Sequence, residues 1–399
     1  MSSHNSAGTL SRRSLLAGAG AAAVSVFLDR RAVLTRMQET QVQLPADLRQ
    51  ALPGMMEIAG VPAFSMATVE GEGIATLGVG LTTSDGTPVN PETVFEAASL
   101  GKPVFAWLVL LLAAEGVLDL DRPLHQYLPL PYPDDESART LTARHLLSHS
   151  SGWRNWRNTP RDSLTADREP GKRFTYSGEG FYFLSRVLAK LSGMGIVQLT
   201  RERIFVPLGM ERSSYIWLPT LDGNRAEPHT SRGMKGESYN ARTGRMVYEA
   251  ARAAGKNLDA WTHEEGLRLL QSRNADVPAL PNFMAPNVAG SLMTTARDYA
   301  LFLRHILGAE GREILRRMTE PQVRLNAALE WGLGVGLQTD NGRTRFWHWG
   351  DNFGFKNFLI GEPDRRTALV IFTNGQNGRA IYERIVRAMW GDQKAFLWI

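Results

Sequence analysis

The pattern of apolar residues changes twice along the chain. Near the start, a Glu-Gly-Glu-Gly turn at 70–73 separates two β-prone runs, which predict strands at Phe64–Val69 and Ile74–Gly80. Similar runs return near the end, where strands are predicted at Gly332–Gln338, Arg345–Trp349, Phe355–Ile360 and Ala368–Thr373. A last helix is predicted at Arg379–Trp390.

The middle of the chain, about 104–310, has the periodicity of helices. Val104–Ala114 is an unbroken apolar run that ends in Glu-Gly. It suits a buried core helix better than a membrane span, which needs about 20 residues. Phe181–Leu191 and Ala296–Leu307 repeat apolar residues at helical spacing. Asp222–Pro281 is polar and poor in apolar residues, which indicates an insertion or a lid.

Strands at both ends with helices between them predict an α+β fold. An antiparallel sheet is built from both ends of the chain, is flanked by helices and carries an inserted, mainly helical subdomain. We expect a single domain at 41–399, with its α/β part at about 41–103 and 325–399, its helical part at about 104–324 and the insertion at about 222–281. Residues 1–40 are interpreted as an export signal and linker.

Composition excludes several classes of protein. The 399 residues include no cysteine, which rules out a disulfide scaffold, a cysteine-ligated zinc site, an iron–sulfur cluster and a cysteine nucleophile. The net charge of +5 is small, and its basic residues form no block, so a nucleic-acid partner is not indicated. Much of the excess lies within the first forty residues, where five arginines face two acidic residues.

The N-terminal segment has the pattern of a twin-arginine export signal. Arg12 and Arg13 precede the uncharged run Leu15–Leu28, which is too short to span a bilayer. No good cleavage triplet follows Leu28, which weakens this interpretation. From the paired arginines and the short apolar run we expect a periplasmic or extracellular protein without a stable transmembrane span. The alternative is a disordered tail on a cytoplasmic protein.

The first chemical motif is Ser99-Leu100-Gly101-Lys102, directly before the long apolar run. Residues three apart share a helix face, so the Lys102 amine would lie beside the Ser99 hydroxyl. A serine needs a base to become a nucleophile. Burial lowers the pKa of a lysine and so favours its neutral form, which can act as that base. The alternative is an N-cap serine followed by a surface lysine.

The second motif is Thr175-Tyr176-Ser177-Gly178, before the helix that includes Phe181. Beside a lysine ammonium, the Tyr176 phenol could exist partly as phenolate and act as a base. The alternative is an ordinary core tyrosine.

The third motif is His348-Trp349-Gly350-Asp351, on a predicted strand. Gly350 permits close approach of another backbone or a ligand. The backbone N–H groups of Ser99 and Asp351 could then form an oxyanion hole. The alternative is a packing glycine beside a hydrogen-bonded histidine.

In this order, the three motifs resemble those of the serine β-lactamase and penicillin-recognising superfamily. The closest resemblance is to the class C β-lactamase-related branch, which includes family VIII carboxylesterases, D-aminopeptidases and D,D-carboxypeptidases. The likeness extends from about Val61 to the C-terminus, with supporting stretches at 95–99, 118–121, 145–152, 289–292 and 331–334. The resemblance implies that Ser99 is acylated and that Lys102 and Tyr176 share the general-base role.

Two positions depart from the family pattern. The second motif ends in Gly178 where the family usually has Asn, and the third begins with His348 where it usually has Lys. The first change removes an amide that often holds the substrate or the lysine. The second removes a fixed cation for a carboxylate, because histidine is mostly neutral at pH 7. Both departures favour an esterase, amidase or peptidase over an efficient β-lactamase.

Other apparent signals carry less weight. His145 and His149 are four apart, yet we interpret their segment as structural and expect no metal site. No Gly-x-Ser-x-Gly elbow surrounds Ser99. The cluster Trp153–Trp156 is either an aromatic substrate subsite or a loop anchored by its indoles.

The sequence thus predicts an exported serine hydrolase that acts on a small ester, amide or peptide through an acyl-enzyme, with no cofactor. Alternatives are a non-catalytic binding protein, an acyltransferase and a weak β-lactamase. The substrate and the oligomeric state are not predicted.

Overall fold

The computed structural model describes residues 40–83, 86–129, 136–159, 162, 164–166, 168–230, 236–273 and 280–399. The predicted signal and linker at 1–40 lies outside the described residues except for Thr40. The strands are β1 (Thr40–Gln41), β2 (Ala63–Glu70), β3 (Gly73–Gly80), β4 (Phe95–Glu96), β5 (Met293–Thr294), β6 (Val323–Arg324), β7 (Leu329–Trp331), β8 (Gly336–Asp340), β9 (Arg343–Asn352), β10 (Phe355–Glu362) and β11 (Thr367–Thr373).

The α-helices of the described residues fall mainly between β3 and β6. They are α1 (Ala46–Ala59), α2 (Gly101–Ala114), α3 (Ala143–Leu147), α4 (Gly178–Ser192), α5 (Ile196–Thr200), α6 (Val206–Leu208), α7 (Tyr239–Ala253), α8 (His263–Arg273), α9 (Ala296–Leu307), α10 (Arg312–Met318) and α11 (Gly378–Trp390).

A nine-stranded sheet forms the centre of the fold, in the order β1-β3-β2-β11-β10-β9-β8-β7-β6. Every neighbouring pair is antiparallel except β1 with β3. The junction between the two ends of the chain is β2 with β11, where Met66 pairs with Ile371. The predicted α+β fold, with one sheet assembled from both ends, is confirmed.

Helices cover both faces of the sheet because its central strands are apolar on both sides. On one face, α1 and α11 pack over a core that includes Phe64, Met66, Ile371 and Ile385. On the other face, α9 packs against β2, β3 and β11. The helix α2 is buried along nearly its whole length, as its apolar run predicted.

One predicted strand is wrong in its first half. The sequence predicted Gly332–Gln338 as a strand, but residues 332–335 form a turn between β7 and β8. Gly334 has φ of 86°, and a Cβ on it would lie 2.3 Å from Ala106 Cβ. The chain therefore leaves the sheet here to pack against α2, which β-propensity does not reveal.

The predicted insertion at 222–281 contains α7 and α8 within its described part. Its start is held to the segment before Ser99, because Val94 N–H donates to Asn224 O and Ala226 N–H donates to Val94 O. Among the described residues, no helix combines the length and apolar character that crossing a membrane requires.

Candidate active site

The Ser99 side chain begins the site, one turn before the buried part of α2. Lys102 Nζ lies 2.9 Å from Ser99 Oγ and donates to Ala289 O at 2.6 Å. Lys102 is 1% exposed, so the alternative of a surface lysine is wrong. Burial lowers the pKa of Lys102 well below its usual value. A neutral amine can donate to Ala289 O and still accept a proton from Ser99 with its lone pair.

The backbone before the nucleophile is in an uncommon conformation. Ala98 has φ of 52°, in the left-handed region, where a residue with a Cβ costs of order 1–3 kcal/mol. Tertiary contacts hold this turn: Ala97 N–H donates to Leu292 O, and Asn357 Nδ2 donates to Glu96 O.

A buried carboxyl group three residues before Ser99 was not assigned a role from the sequence. The Glu96 side chain accepts hydrogen bonds from Ser238 Oγ, from Asn240 Nδ2 at 2.9 Å and from Asn352 Nδ2 at 3.2 Å. Both amides also donate to Gly290 O. Burial raises the pKa of Glu96, and the two amides oppose this rise. The network joins the nucleophile segment, the start of α7 and the end of β9.

Tyr176 lies beside the lysine, as predicted: Lys102 Nζ is 4.8 Å from the centre of its ring. The phenol hydroxyl is buried and makes no well-formed hydrogen bond to any described residue. Burial raises the pKa of Tyr176, and the nearby Ser99 hydroxyl offsets only part of the rise. Burial therefore opposes the predicted partial phenolate in the free protein, because it desolvates the phenol and also disfavours the ammonium form of Lys102.

His149 packs against the segment that carries Tyr176. Its Nδ1 accepts a hydrogen bond from Ser177 N–H at 3.0 Å, and its ring centre is 4.2 Å from that of Tyr176. Burial lowers the pKa of His149 well below its usual value. The other histidine of the excluded metal pair, His145, accepts from Thr142 N–H within the N-terminal cap of α3.

The two tryptophans of the loop, Trp153 and Trp156, lie in different environments. Trp153 is fully buried and packs on Phe183, so it anchors the loop. Trp156 is partly exposed, and its indole occupies the space in front of Gly178, the first residue of α4. Trp153 therefore fits the interpretation as a loop anchor, whereas a substrate subsite at Trp156 stays a prediction.

His348 supplies no cation. It is fully buried, and its Nδ1 lies 2.7 Å from Trp349 O. Burial lowers the pKa of His348 to about 3. A neutral imidazole donates from Nδ1 here and leaves Nε2 as an acceptor, which makes no hydrogen bond to any described residue.

Gly350 and Asp351 bring β9 against the nucleophile segment. A Cβ on Gly350 would lie 2.4 Å from Ala97 O, so the close approach is made by the chain's own backbone. Asn352 pairs with Phe355 across a two-residue turn, and from this pair outward hydrogen-bonded and non-hydrogen-bonded pairs of β9 and β10 alternate. Asp351 belongs to a non-hydrogen-bonded pair, so its N–H points away from β10. On that side β8 ends with the pair Gly336–Trp347, so β8 does not cover Asp351. The Asp351 carboxylate pairs with Lys356.

A cavity of about 520 Å³ lies along α4 and is also lined by His263 and Glu264 at the start of α8. Tyr182, Ser185, Arg186 and Ala189 line it, whereas Ser99, Lys102 and Tyr176 do not. Tyr182 Oη lies 2.6 Å from His263 Nδ1, and burial lowers the pKa of His263 to about 4. This cavity is therefore separate from the nucleophile.

Comparisons with known proteins find relatives over most of the chain. Residues 48–389 match the model of the Beta-lactamase family. Penicillin-binding protein 4 of Amycolatopsis lactamdurans is 26% identical over 336 residues, covering 77% of this chain and 79% of that protein. Esterase EstB of Burkholderia gladioli is 42% identical over 73 residues, covering 18% of this chain and 19% of that esterase. Two further curated relatives are matched over less than half of their own length.

The fold also agrees with a solved structure. A class C beta-lactamase from Rhodobacter sphaeroides superposes with a TM-score of 0.65 at 18% identity, over 87% of this chain and 98% of that one. At this identity the likeness concerns the fold alone.

Proposed function

The chain belongs to the Beta-lactamase family, and we propose that it is an exported serine hydrolase that cleaves an ester or amide bond through an acyl-enzyme at Ser99. The observation that carries the proposal is the buried Lys102 amine, 2.9 Å from Ser99 Oγ. Burial favours the neutral form of this amine, which is a base in place beside the hydroxyl. Export rests on the paired arginines at 12–13.

In the acylation step, Ser99 Oγ attacks the substrate carbonyl carbon while its proton passes to the neutral Lys102 amine. The tetrahedral oxyanion accepts hydrogen bonds from the N–H groups of Ser99 and Asp351. Collapse expels the alcohol or amine, and the proton reaches this leaving group from Lys102 through the neutral Tyr176 phenol. Tyr176 serves as a relay, since burial keeps its hydroxyl protonated.

In the deacylation step, a water molecule loses a proton to Lys102 and attacks the acyl carbon. The acid leaves, and the proton returns to Ser99 Oγ. An alcohol or amine in place of water would give acyl transfer instead, and product analysis with added acceptors distinguishes the two.

The neutral His348 and the glycine at 178 favour an ester, amide or peptide substrate over an efficiently hydrolysed β-lactam. The same two positions motivate the second candidate, a binding protein without turnover. Esterase EstB, by its name, supports the esterase branch.

The decisive experiment is intact-mass analysis after exposure to a fluorophosphonate, together with turnover of p-nitrophenyl butyrate. The native chain should gain one adduct and hydrolyse the ester, whereas Ser99→Ala should do neither. Ser192→Ala, at the far end of α4, is the matched control and should behave like the native chain. Folded native protein without an adduct, or turnover that survives in Ser99→Ala, would refute the proposal.

A further inference from the structure

The glycine at position 178 is explained by a tryptophan from another loop. A Cβ on Gly178 would lie 2.2 Å from Cζ2 and 2.4 Å from Cη2 of Trp156. Real side chains do not approach this closely, so any larger residue at 178 would push the indole away. The backbone at Gly178 is ordinary, so the glycine is needed for space and not for its conformation.

The position that Trp156 covers closes the motif that carries Tyr176. Gly178 is two residues after Tyr176 and is the first residue of α4. Lys102 Nζ lies 4.8 Å from the centre of the Tyr176 ring and 5.8 Å from that of Phe181, one turn into α4. The indole in front of Gly178 therefore lies next to the segment that borders the reactive amine, and it is partly exposed.

The loop that carries the indole is held firmly. Gly178 N–H donates to Asn155 Oδ1 at 2.8 Å, and Glu179 N–H donates to Asn155 O at 3.0 Å. Arg157 Nε donates to the buried Glu179 carboxylate at 3.0 Å. These bonds lie on both sides of Trp156 in the sequence, so the ring is positioned before a substrate arrives.

We propose that Trp156 is a substrate-contacting wall that selects esters whose acyl group is apolar over esters that carry an amide there. This inference rests on the proposed function and identifies its substrate class. In front of Gly178, which has no side chain to form a hydrogen bond, the Trp156 indole presents an apolar surface to the substrate. A substrate amide buried against that ring would lose its hydrogen bonds to water without replacement.

The test compares two p-nitrophenyl esters of the same shape, 4-methylpentanoate and N-acetylglycinate. Each kcat/KM is divided by the rate of hydroxide hydrolysis, which removes intrinsic reactivity. The native chain should prefer 4-methylpentanoate by about tenfold or more. Trp156→Ala should reduce this preference about tenfold, mainly through a higher KM for the apolar ester, and Trp156→Phe should retain most of it.

A double variant tests the space itself. Trp156→Ala with Gly178→Asn should shift the preference further toward N-acetylglycinate, because the asparagine amide then has room beside the substrate. Gly178→Asn alone, in which the indole is displaced, should lose the apolar preference. Trp390→Ala, at a partly exposed tryptophan of α11, is the matched control and should keep the native ratio.

The outcomes separate the two proposals. Ester turnover that depends on Ser99, with a ratio unchanged in folded Trp156→Ala, overturns the wall and leaves the hydrolase in place. A native chain that is not acylated at Ser99 by either ester overturns both.

Discussion

The proposed nucleophile side of the site (Ser99, Lys102 and Tyr176) differs from its proposed substrate side (Trp156, Gly178, His348 and Asp351) in how closely it follows the family pattern. On the nucleophile side, all three side-chain types that the resemblance implies are present and close together. On the substrate side, an indole fills the space before the glycine, and the histidine is neutral and bound to its own strand.

In the proposed site, the groups for reaction and those for recognition come largely from different segments of the chain. Ser99 and Lys102 lie on one turn of the chain, so their distance depends on local geometry. The substrate side joins a loop, a helix start and a strand that are far apart in sequence. Substitutions there can change which substrate binds without moving the nucleophile from its base.

The largest effect on this comparison is expected from Lys102→Met. The substitution keeps the shape of the buried side chain and removes the base, so kcat/KM for p-nitrophenyl butyrate should fall about 10²–10⁴-fold. In the native chain, kcat/KM should rise with pH as Lys102 loses its proton. Because burial lowers this pKa, the plateau should be reached well below pH 10.4, the usual lysine value.

Steady-state kinetics from pH 5 to 10 measure both effects. Lys394→Met, at a partly exposed lysine paired with Asp340, is the matched control and should keep the native profile. Native turnover in folded Lys102→Met would show that the nucleophile side does not depend on this amine.

A smaller loss is expected from Tyr176→Phe, which removes only the phenol hydroxyl. If the phenol relays the proton to the leaving group, kcat should fall about 10²-fold with little change in KM. The loss should be greatest for esters with poorly acidic alcohols, since these most need a proton as they leave. Equal kcat values for native and variant across a series of leaving groups would remove Tyr176 from the mechanism.

The smallest effect concerns stability on the substrate side. The pKa of His348 is about 3 in the folded protein and about 6.5 when unfolded, so below pH 6.5 the unfolded chain binds the extra proton. Stability is therefore lost as pH falls from 6.5 toward 3, by roughly 2–3 kcal/mol at pH 4.5. His348→Gln should remove this share of the acid destabilisation.

Urea denaturation at pH 7 and pH 4.5 measures the effect. His125→Gln, at an exposed histidine, controls for the loss of one imidazole. An acid destabilisation that is the same in native and His348→Gln protein would mean that His348 takes up its proton in the folded state, and the site would then hold a cation after all.

Much of the fold could be predicted because its signals are local. The apolar run at 104–114 made a buried helix, and the β-prone runs at both ends made neighbouring strands. The turn at 332–335 was mistaken for a strand because its shape depends on contact with Ala106 in α2. The bounds of α7 and α8 were not predicted within the polar insertion. The buried face of α7 includes the small or polar residues Ala241, Thr243 and Gly244, which give little hydrophobic signal.

The spacing of Ser99 and Lys102, the order of the three motifs and the resemblance to a family follow from the sequence alone, because each is a pattern of residue types along the chain. Tertiary structure decided that Lys102 is buried against Ala289, that Glu96 binds Asn240 and Asn352, that Trp156 fills the space before Gly178 and that His348 is neutral. The physical reason is that desolvation and close packing are set by neighbours that are distant in sequence.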